Sequence, residues 1–151
     1  MNENPMANEA QTRMMYEVAL YREQLGMLQK EMERVSLTAV DLNNALKTVE
    51  NIDAKDVMVP VGGGTFMKAS VKDVKLVVPI GAQYLREMGR DEALAELARR
   101  REATKKAIER LEVEFKKIAG KFQQVSGQLK DLEARAKISQ RVDENIGEDY
   151  I

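Results

Sequence analysis

The chain lacks the side chains that most often carry out chemistry in proteins. Its 151 residues include no Cys and no His, which removes thiol nucleophiles, imidazole acid–base groups and the commonest ligands of zinc and iron. Carboxylates are abundant, but the sequence indicates no apolar pocket in which burial would shift the pKa of one for acid–base catalysis. We therefore predict no catalytic residue, no metal site, no cofactor and no enzymatic activity.

A run of three glycines is the best candidate for a phosphate-binding loop. Gly62, Gly63 and Gly64 lie between two β-like runs. A P-loop requires GxxxxGK[ST] between a strand and a helix, whereas these glycines lead into a second strand. Because glycine readily adopts positive φ, a hairpin turn is the favoured interpretation. An anion-binding enzyme built on this loop would have to bind nucleotide, and we expect no such binding.

Basic runs are the only feature that suggests nucleic acid. Residues 99–101, 105–106 and 116–117 are basic, but they alternate with acids such as Glu96 and Glu114. This pattern favours a solvated helix face with i,i+4 ion pairs, and the formal net charge of −1 gives no general attraction to phosphates. We also find no apolar run of about 18 residues for a membrane span and no signal peptide. We predict a cytoplasmic protein without nucleic-acid or membrane partners.

Two long heptad repeats must position everything else. Apolar residues recur at alternating steps of four and three, which is typical of coiled coils. The first seam comprises Met14, Val18, Tyr21, Leu25, Leu28, Met32, Val35, Ala39, Leu42, Leu46 and Val49. The second comprises Leu94, Leu97, Arg101, Thr104, Ile108, Leu111, Phe115, Ile118, Phe122, Val125, Leu129 and Leu132. Arg101 and Thr104 are the polar exceptions, and we expect the charge of Arg101 to reach water.

The segment between the seams has the period of β-strands. Valines alternate up to the Gly-rich loop, and a second alternating run turns at Gly81-Ala82. We predict a disordered lead (1–9), helix 1 (10–51), two β-hairpins (56–88), helix 2 (91–141) with Asp91 as its N-cap, and a flexible tail (142–151). The fold class is α with a small β insert: an antiparallel coiled-coil hairpin, with Val49 near Leu94 and Leu25 near Ile118. Since isolated hairpins are marginal in water, the two should complete a sheet or barrel with other subunits.

Apolar side chains near both chain ends form a candidate binding surface. The set consists of Met6, Met14, Met15, Ile138, Val142 and Ile146. Methionine is flexible and polarisable, so it suits surfaces that bind many partners. An equally weighted interpretation is that the fraying ends of the two helices pair with each other or extend freely into water.

The first hairpin resembles that of the alpha class in the archaeal-type prefoldin family. Residues 57–69 read VMVPVGGGTFMKA, similar to the family pattern LVPxGxGxFxKG, and the helix–two hairpins–helix order matches nearly the whole chain. The later Gly81-Ala82-Gln83-Tyr84 is similar to the family's G-x-G-Y. Ala69 and Gln83 stand where the family usually has Gly, and Pro79 interrupts the third strand. The change at Ala69 is mild, whereas Gln83 and Pro79 leave the pairing of the second hairpin open.

The resemblance implies a heterohexamer of two alpha and four beta subunits with a β-barrel base and six coiled-coil arms. It implies an ATP-independent holdase that captures unfolded clients at the arm tips and passes them to a group II chaperonin. The residues near the chain ends would then bind clients. The hairpin residues Val57, Val59, Val61, Phe66, Met67, Val78, Ile80 and Tyr84 would serve assembly. The alternative is a structural coiled-coil adaptor that binds one or two folded partners.

Overall fold

Two long helices enclose four short strands in the chain order. The computed structural model describes the backbone of residues 5–52 and 56–148 and the side chains of residues 8–52 and 56–139. The elements are α1 (Pro5–Asn51), β1 (Asp56–Gly62), β2 (Thr65–Ser70), β3 (Lys75–Gly81), β4 (Tyr84–Gly89) and α2 (Arg90–Glu148). The predicted fold class, helical with a two-hairpin insert, is confirmed.

Both helices extend further than the sequence predicted. The first begins at Pro5 rather than Ala10, since the fixed φ of proline suits the first helical position. The second continues to Glu148 rather than Arg141, beyond the end of the apolar seam. Asp91, predicted as the N-cap, lies in the first turn of α2, where its charge favours the helix dipole. The predicted disorder of residues 1–4 and flexibility of residues 149–151 concern residues outside the described ranges.

The chain divides into a hairpin unit of residues 34–108 and a terminal unit of residues 1–33 and 109–151. In the hairpin unit, Leu46 and Val49 of α1 form a buried cluster with Leu97 of α2, and Leu94 packs against it. The predicted proximity of Val49 and Leu94 is therefore confirmed. Val35 and Thr38 of α1 line a groove with Thr104 and Ala107 of α2. Rising residue numbers in α1 therefore meet falling numbers in α2, and the helices of this unit are antiparallel.

The terminal unit has the same antiparallel pairing. The Arg22 guanidinium carbon lies 6.0 Å from the centre of the Phe122 ring, a distance at which cation–π attraction operates. Leu28 and Ile118 line one groove between the helices, which agrees with the predicted register to within a heptad.

The heptad seams are the covered faces of both helices. Every predicted seam position of α1 is half-buried or buried, and so is every predicted position of α2 except Arg101, which is exposed. A guanidinium without a buried partner is costly to remove from water, so Arg101 leaves the seam as expected. The covered stripe of α2 ends at Leu132, and residues 133–139 are exposed.

The two β-hairpins repeat one geometry. Strands β1 and β2 pair antiparallel with Val59 opposite Met67, and β3 and β4 pair antiparallel with Val78 opposite Arg86. Each hairpin has a register shift directly after its proline, at Pro60 in the first and at the corresponding position in the second. The pairing of the second hairpin, which the sequence left open, is thus the same as that of the first.

The turns differ in the residues that adopt positive φ. In the first hairpin, Gly63 and Gly64 have φ values of 56° and 75°, and in the second, Ala82 and Gln83 have values of 47° and 65°. Two central residues with positive φ characterise a type I′ turn, which matches the twist of the flanking strands. This conformation is free of steric cost for glycine but costs roughly 1–2 kcal/mol for another residue. The Gly-rich loop is a hairpin turn, as predicted, and the second turn is strained.

Replacing Gln83 by Gly should therefore stabilise the protein. We expect the free energy of unfolding to rise by about 1 kcal/mol, because the strain in the turn is relieved while the unfolded chain gains some freedom. The Gln83→Ala variant is the matched control, since it shortens the side chain but keeps the Cβ atom that causes the strain. Chemical denaturation of both variants measures the effect, and equal stability changes in the two would contradict the strained turn.

Candidate functional site

A cluster of one carboxylate and two guanidinium groups lies on the surface of α2. The Glu96 carboxylate accepts hydrogen bonds of 2.8–2.9 Å from Arg99 and one of 2.9 Å from Arg100. These bonds lower the pKa of Glu96 to about 2. A carboxylate held ionised in this way cannot exchange protons near neutral pH. Lys117 pairs similarly with Glu114 at 3.6 Å, which agrees with the interpretation of the basic runs as a helix face.

The Glu96 cluster should make stability depend on pH in acid. Its folded-state pKa lies below the ordinary value of 4.5, so the pairing stabilises the folded chain fully above about pH 4.5 and is lost as the pH falls toward 2. We expect Glu96→Gln to lower the melting temperature above pH 4.5 and to have a diminishing effect below it. Thermal melts of the variant and the natural chain across this range test the prediction. A difference between their melting temperatures that stays constant with pH would contradict it.

Two arginines connect the second hairpin and the start of α2 to the rest of the hairpin unit. The Arg90 guanidinium donates a hydrogen bond to the backbone carbonyl of Glu50, in the last turn of α1, where carbonyls lack partners within the helix. The Arg86 guanidinium pairs with Glu92. The first contact joins the start of α2 to the end of α1, and the second joins β4 to the first turn of α2.

The predicted assembly residues are mostly exposed in the hairpin unit. Val59, Val61, Phe66, Met67, Ile80 and Tyr84 are exposed and Val57 is half-buried. Val78 differs because it is buried with Met88 and Ala93 of the same chain. Exposed apolar strands of this kind are typical of surfaces that another chain covers. A role of these residues in assembly stays a prediction.

Sequence reasoning missed part of the hairpin surface. Met58, Val77 and Leu85 are also large, apolar and exposed. Met58 and Val77 lie in the strand phase opposite to Val59 and Val78, and Leu85 follows Tyr84. None of the three was among the predicted assembly residues. Successive strand residues point to opposite faces of the hairpin. Apolar residues at consecutive positions therefore indicated, in the sequence itself, that both faces of each hairpin are apolar.

The residues predicted to bind clients lie in the terminal unit. Met15 and Ile138 are exposed, and Met14 is half-buried and lines a shallow groove with Gln128 of α2. The side chains of Met6, Val142 and Ile146 lie outside the described residues. Tyr16, Leu20 and Met27 of α1 are further exposed apolar residues that the seam analysis did not select. They recur outside the seam at helical spacings, and this recurrence in the sequence indicated a second apolar stripe on α1.

Clustered metal ligands and membrane-spanning helices are both absent from the part of the chain that the structure describes. Within residues 8–52 and 56–139, no three carboxylates are arranged to hold a metal ion. Neither helix, over its described length, has a stretch apolar enough to cross a bilayer.

The sequence is similar to proteins of a known family. Residues 21–135 match the family model for a prefoldin subunit. The chain belongs to the prefoldin family. Membership supports a chaperone-type role, and the matched residues include both hairpins and most of both helices.

Curated relatives carry the name prefoldin subunit alpha. The Thermofilum pendens protein is 28% identical over 108 residues, which cover 68% of this chain and 84% of the relative. The Pyrococcus horikoshii protein is 28% identical over 131 residues, covering 78% and 88%. The Methanococcus aeolicus protein is 33% identical over 72 residues, and the match spans 47% of this chain and half of that relative.

Two solved prefoldin structures have similar folds. The prefoldin beta subunit of Thermococcus strain KS-1 aligns with a TM-score of 0.57 at 20% identity, covering 80% of this chain and 90% of that chain. The filamentous PFD of Methanocaldococcus jannaschii aligns with a TM-score of 0.50 at 25% identity, covering 79% and 97%. The first likeness concerns the fold alone.

Proposed function

We propose that this prefoldin subunit is part of an ATP-independent holdase. In this proposal it captures unfolded proteins through apolar residues near the ends of its two helices and delivers them to a group II chaperonin. The observation that carries the proposal is the prefoldin family match over residues 21–135. The exposed Met15 and Ile138 support it, because flexible apolar side chains can accommodate many unrelated sequences.

Capture would depend on several weak contacts acting together. Each subunit offers only a small apolar surface, so a single contact should be weak. Several subunits that hold one client gain affinity through effective concentration, without any new contact. No step requires nucleotide, a metal ion or a covalent intermediate, and the proposed function is therefore binding without catalysis.

Assembly would depend on the hairpins. We propose that two copies of this chain combine with four beta-class prefoldin subunits and that the exposed hairpin residues form the shared β-structure. The structures named as a prefoldin beta subunit and as filamentous PFD support an assembly of prefoldin-type subunits. The cytoplasmic location stays a prediction.

Native mass spectrometry of the complex purified from its own cells tests the assembly. We expect two copies of this chain and four smaller helical subunits. The same complex should suppress aggregation of several unrelated denatured proteins without ATP. A complex with one folded partner, and no effect on unrelated clients, would instead establish the structural adaptor.

A further inference from the structure

We propose that the two hairpins, although built alike, have different states in the unassembled chain. The β3–β4 hairpin is folded onto the helices of its own subunit, whereas the β1–β2 hairpin becomes ordered only when other subunits cover it. The inference rests on the proposed assembly and adds an order of events: the first hairpin is the segment whose folding is coupled to association.

Buried contacts hold the second hairpin to its own helices. Val78 of β3 is 5% exposed and packs with Met88 of β4 and with Ala93 of α2, which is fully buried. Leu76 contacts both this cluster and the cluster of Leu46 at the end of α1. The second hairpin is therefore continuous with the apolar core of the hairpin unit.

A polar contact adds to this attachment. The ion pair of Arg86 with Glu92 connects β4 to the first turn of α2. Since β4 ends at Gly89 and α2 begins at Arg90, no loop separates the second hairpin from the helix. Opening the hairpin would expose a buried cluster and disturb the start of α2.

The first hairpin has no comparable attachment among the described residues. Neither buried cluster includes a residue of β1 or β2. Val59, at the position equivalent to Val78, is 38% exposed. The hydrogen bond of 2.6 Å from Ser70 to Asp56 joins the two strands of this hairpin to each other.

Both faces of the first hairpin are apolar. Val59 and Met67 face each other on one side of the ribbon, and Met58 and Phe66 lie on the other. An isolated two-stranded hairpin is marginal in water because it buries little surface to offset the loss of conformational entropy. In the second hairpin the helices supply that burial. In the first, only the pair of Val57 and Ala69 is half-buried, and further burial would come from other chains.

Coupling the folding of the first hairpin to association has a functional consequence. The entropy lost on ordering lowers the affinity of assembly while allowing the hairpin to be enclosed on both faces. The second hairpin is already folded before assembly in this proposal, and it has the same register and turn geometry as the first hairpin.

Hydrogen exchange of the full-length chain tests this difference. At dilutions where size-exclusion chromatography shows a monomer, we expect amides of residues 56–70 to exchange within about tenfold of the unstructured rate. Amides of residues 75–89 should exchange at least about a hundredfold more slowly. In the purified complex both segments should be protected. Equal protection of the two hairpins at every concentration would overturn the proposal.

A matched pair of substitutions gives a second measurement. Val78→Ala should lower the protection of residues 75–89 in the unassembled chain by about tenfold, because it removes buried methyl groups. Val59→Ala should change exchange in the unassembled chain by less than about twofold, but raise the subunit concentration needed for assembly by about tenfold. The reverse pattern, or similar effects of both variants on the unassembled chain, would overturn the proposal.

These results are separable from the proposed chaperone function. Equal protection of the hairpins, with client holding intact, would refute the coupled folding and leave the holdase standing. Unequal protection of the two hairpins in the unassembled chain, together with a complex that holds no unfolded client, would refute the holdase and leave the hairpin assignment standing.

Discussion

Replacing Leu46 by Ala should lower the free energy of unfolding by about 2–5 kcal/mol. Leu46 is 6% exposed and lies in the buried cluster with Val49 and Leu97, against which Leu76 of β3 packs. Removing its side chain takes apolar atoms from the core and leaves a cavity where α1, α2 and the second hairpin meet. Urea unfolding followed by circular dichroism measures the change.

Leu37 supplies the control for this substitution on the same helix. It is 67% exposed, and both residues belong to the hairpin unit. Leu37→Ala makes the same chemical change in a helical residue without opening a cavity, so we expect a change within about 0.5 kcal/mol. Similar destabilisation by the two variants would show that the cluster at Leu46 is not the core of the hairpin unit.

Removing residues 1–12 and 136–151 should leave assembly intact and weaken the holding of clients by about tenfold or more. The deleted residues include Met6, Ile138, Val142 and Ile146 but none of the hairpin residues. Because capture is proposed to be multivalent, a weaker contact on each subunit is multiplied over all copies. The concentration of complex needed for half-maximal suppression of aggregation measures the effect. Normal suppression by an intact truncated complex would refute the assignment.

A substitution test localises the same effect without shortening the chain. We expect Met15→Ser combined with Ile138→Ser to weaken client holding in the same direction as the truncation and by a smaller factor, about threefold. Val113→Ser is the control, because Val113 is a similarly exposed apolar residue of α2 in the terminal unit. It should leave holding unchanged. Equal losses from Val113→Ser and the double variant would point to general surface hydrophobicity instead.

The helical part of the fold was predictable because the heptad period is a local signal. A repeat of 3.5 residues defines one covered stripe on each helix, and the half-buried and buried positions fall on the predicted seams. Even the exception at Arg101 followed from the cost of burying an unpaired charge. The helix ends were less predictable, because α2 continues past the end of the seam, where no periodic apolar pattern marks its last residue.

The hairpins were predictable in outline and not in detail. Period-two alternation and turn residues placed two hairpins in the insert. The second turn, however, uses Ala82 and Gln83 at positive φ, which residue preferences alone oppose. The register of β3 and β4 with their bulge fixes that turn, and pairing between strands is a longer-range interaction than a preference at one residue.

The sequence by itself determined the helix–two hairpins–helix order, the two seams, the lack of His and Cys, and the resemblance to prefoldin. Each of these depends on composition or on periodicity along a single element. Only the tertiary structure decided that Val78 is buried while its equivalent Val59 is exposed. The two residues stand in near-identical segments, Val-Pro-Val-Gly and Val-Pro-Ile-Gly, so no local pattern distinguishes them. Their difference arises from contacts with residues distant in the chain, namely Ala93 and the helix ends, because burial depends on what the fold brings alongside each hairpin.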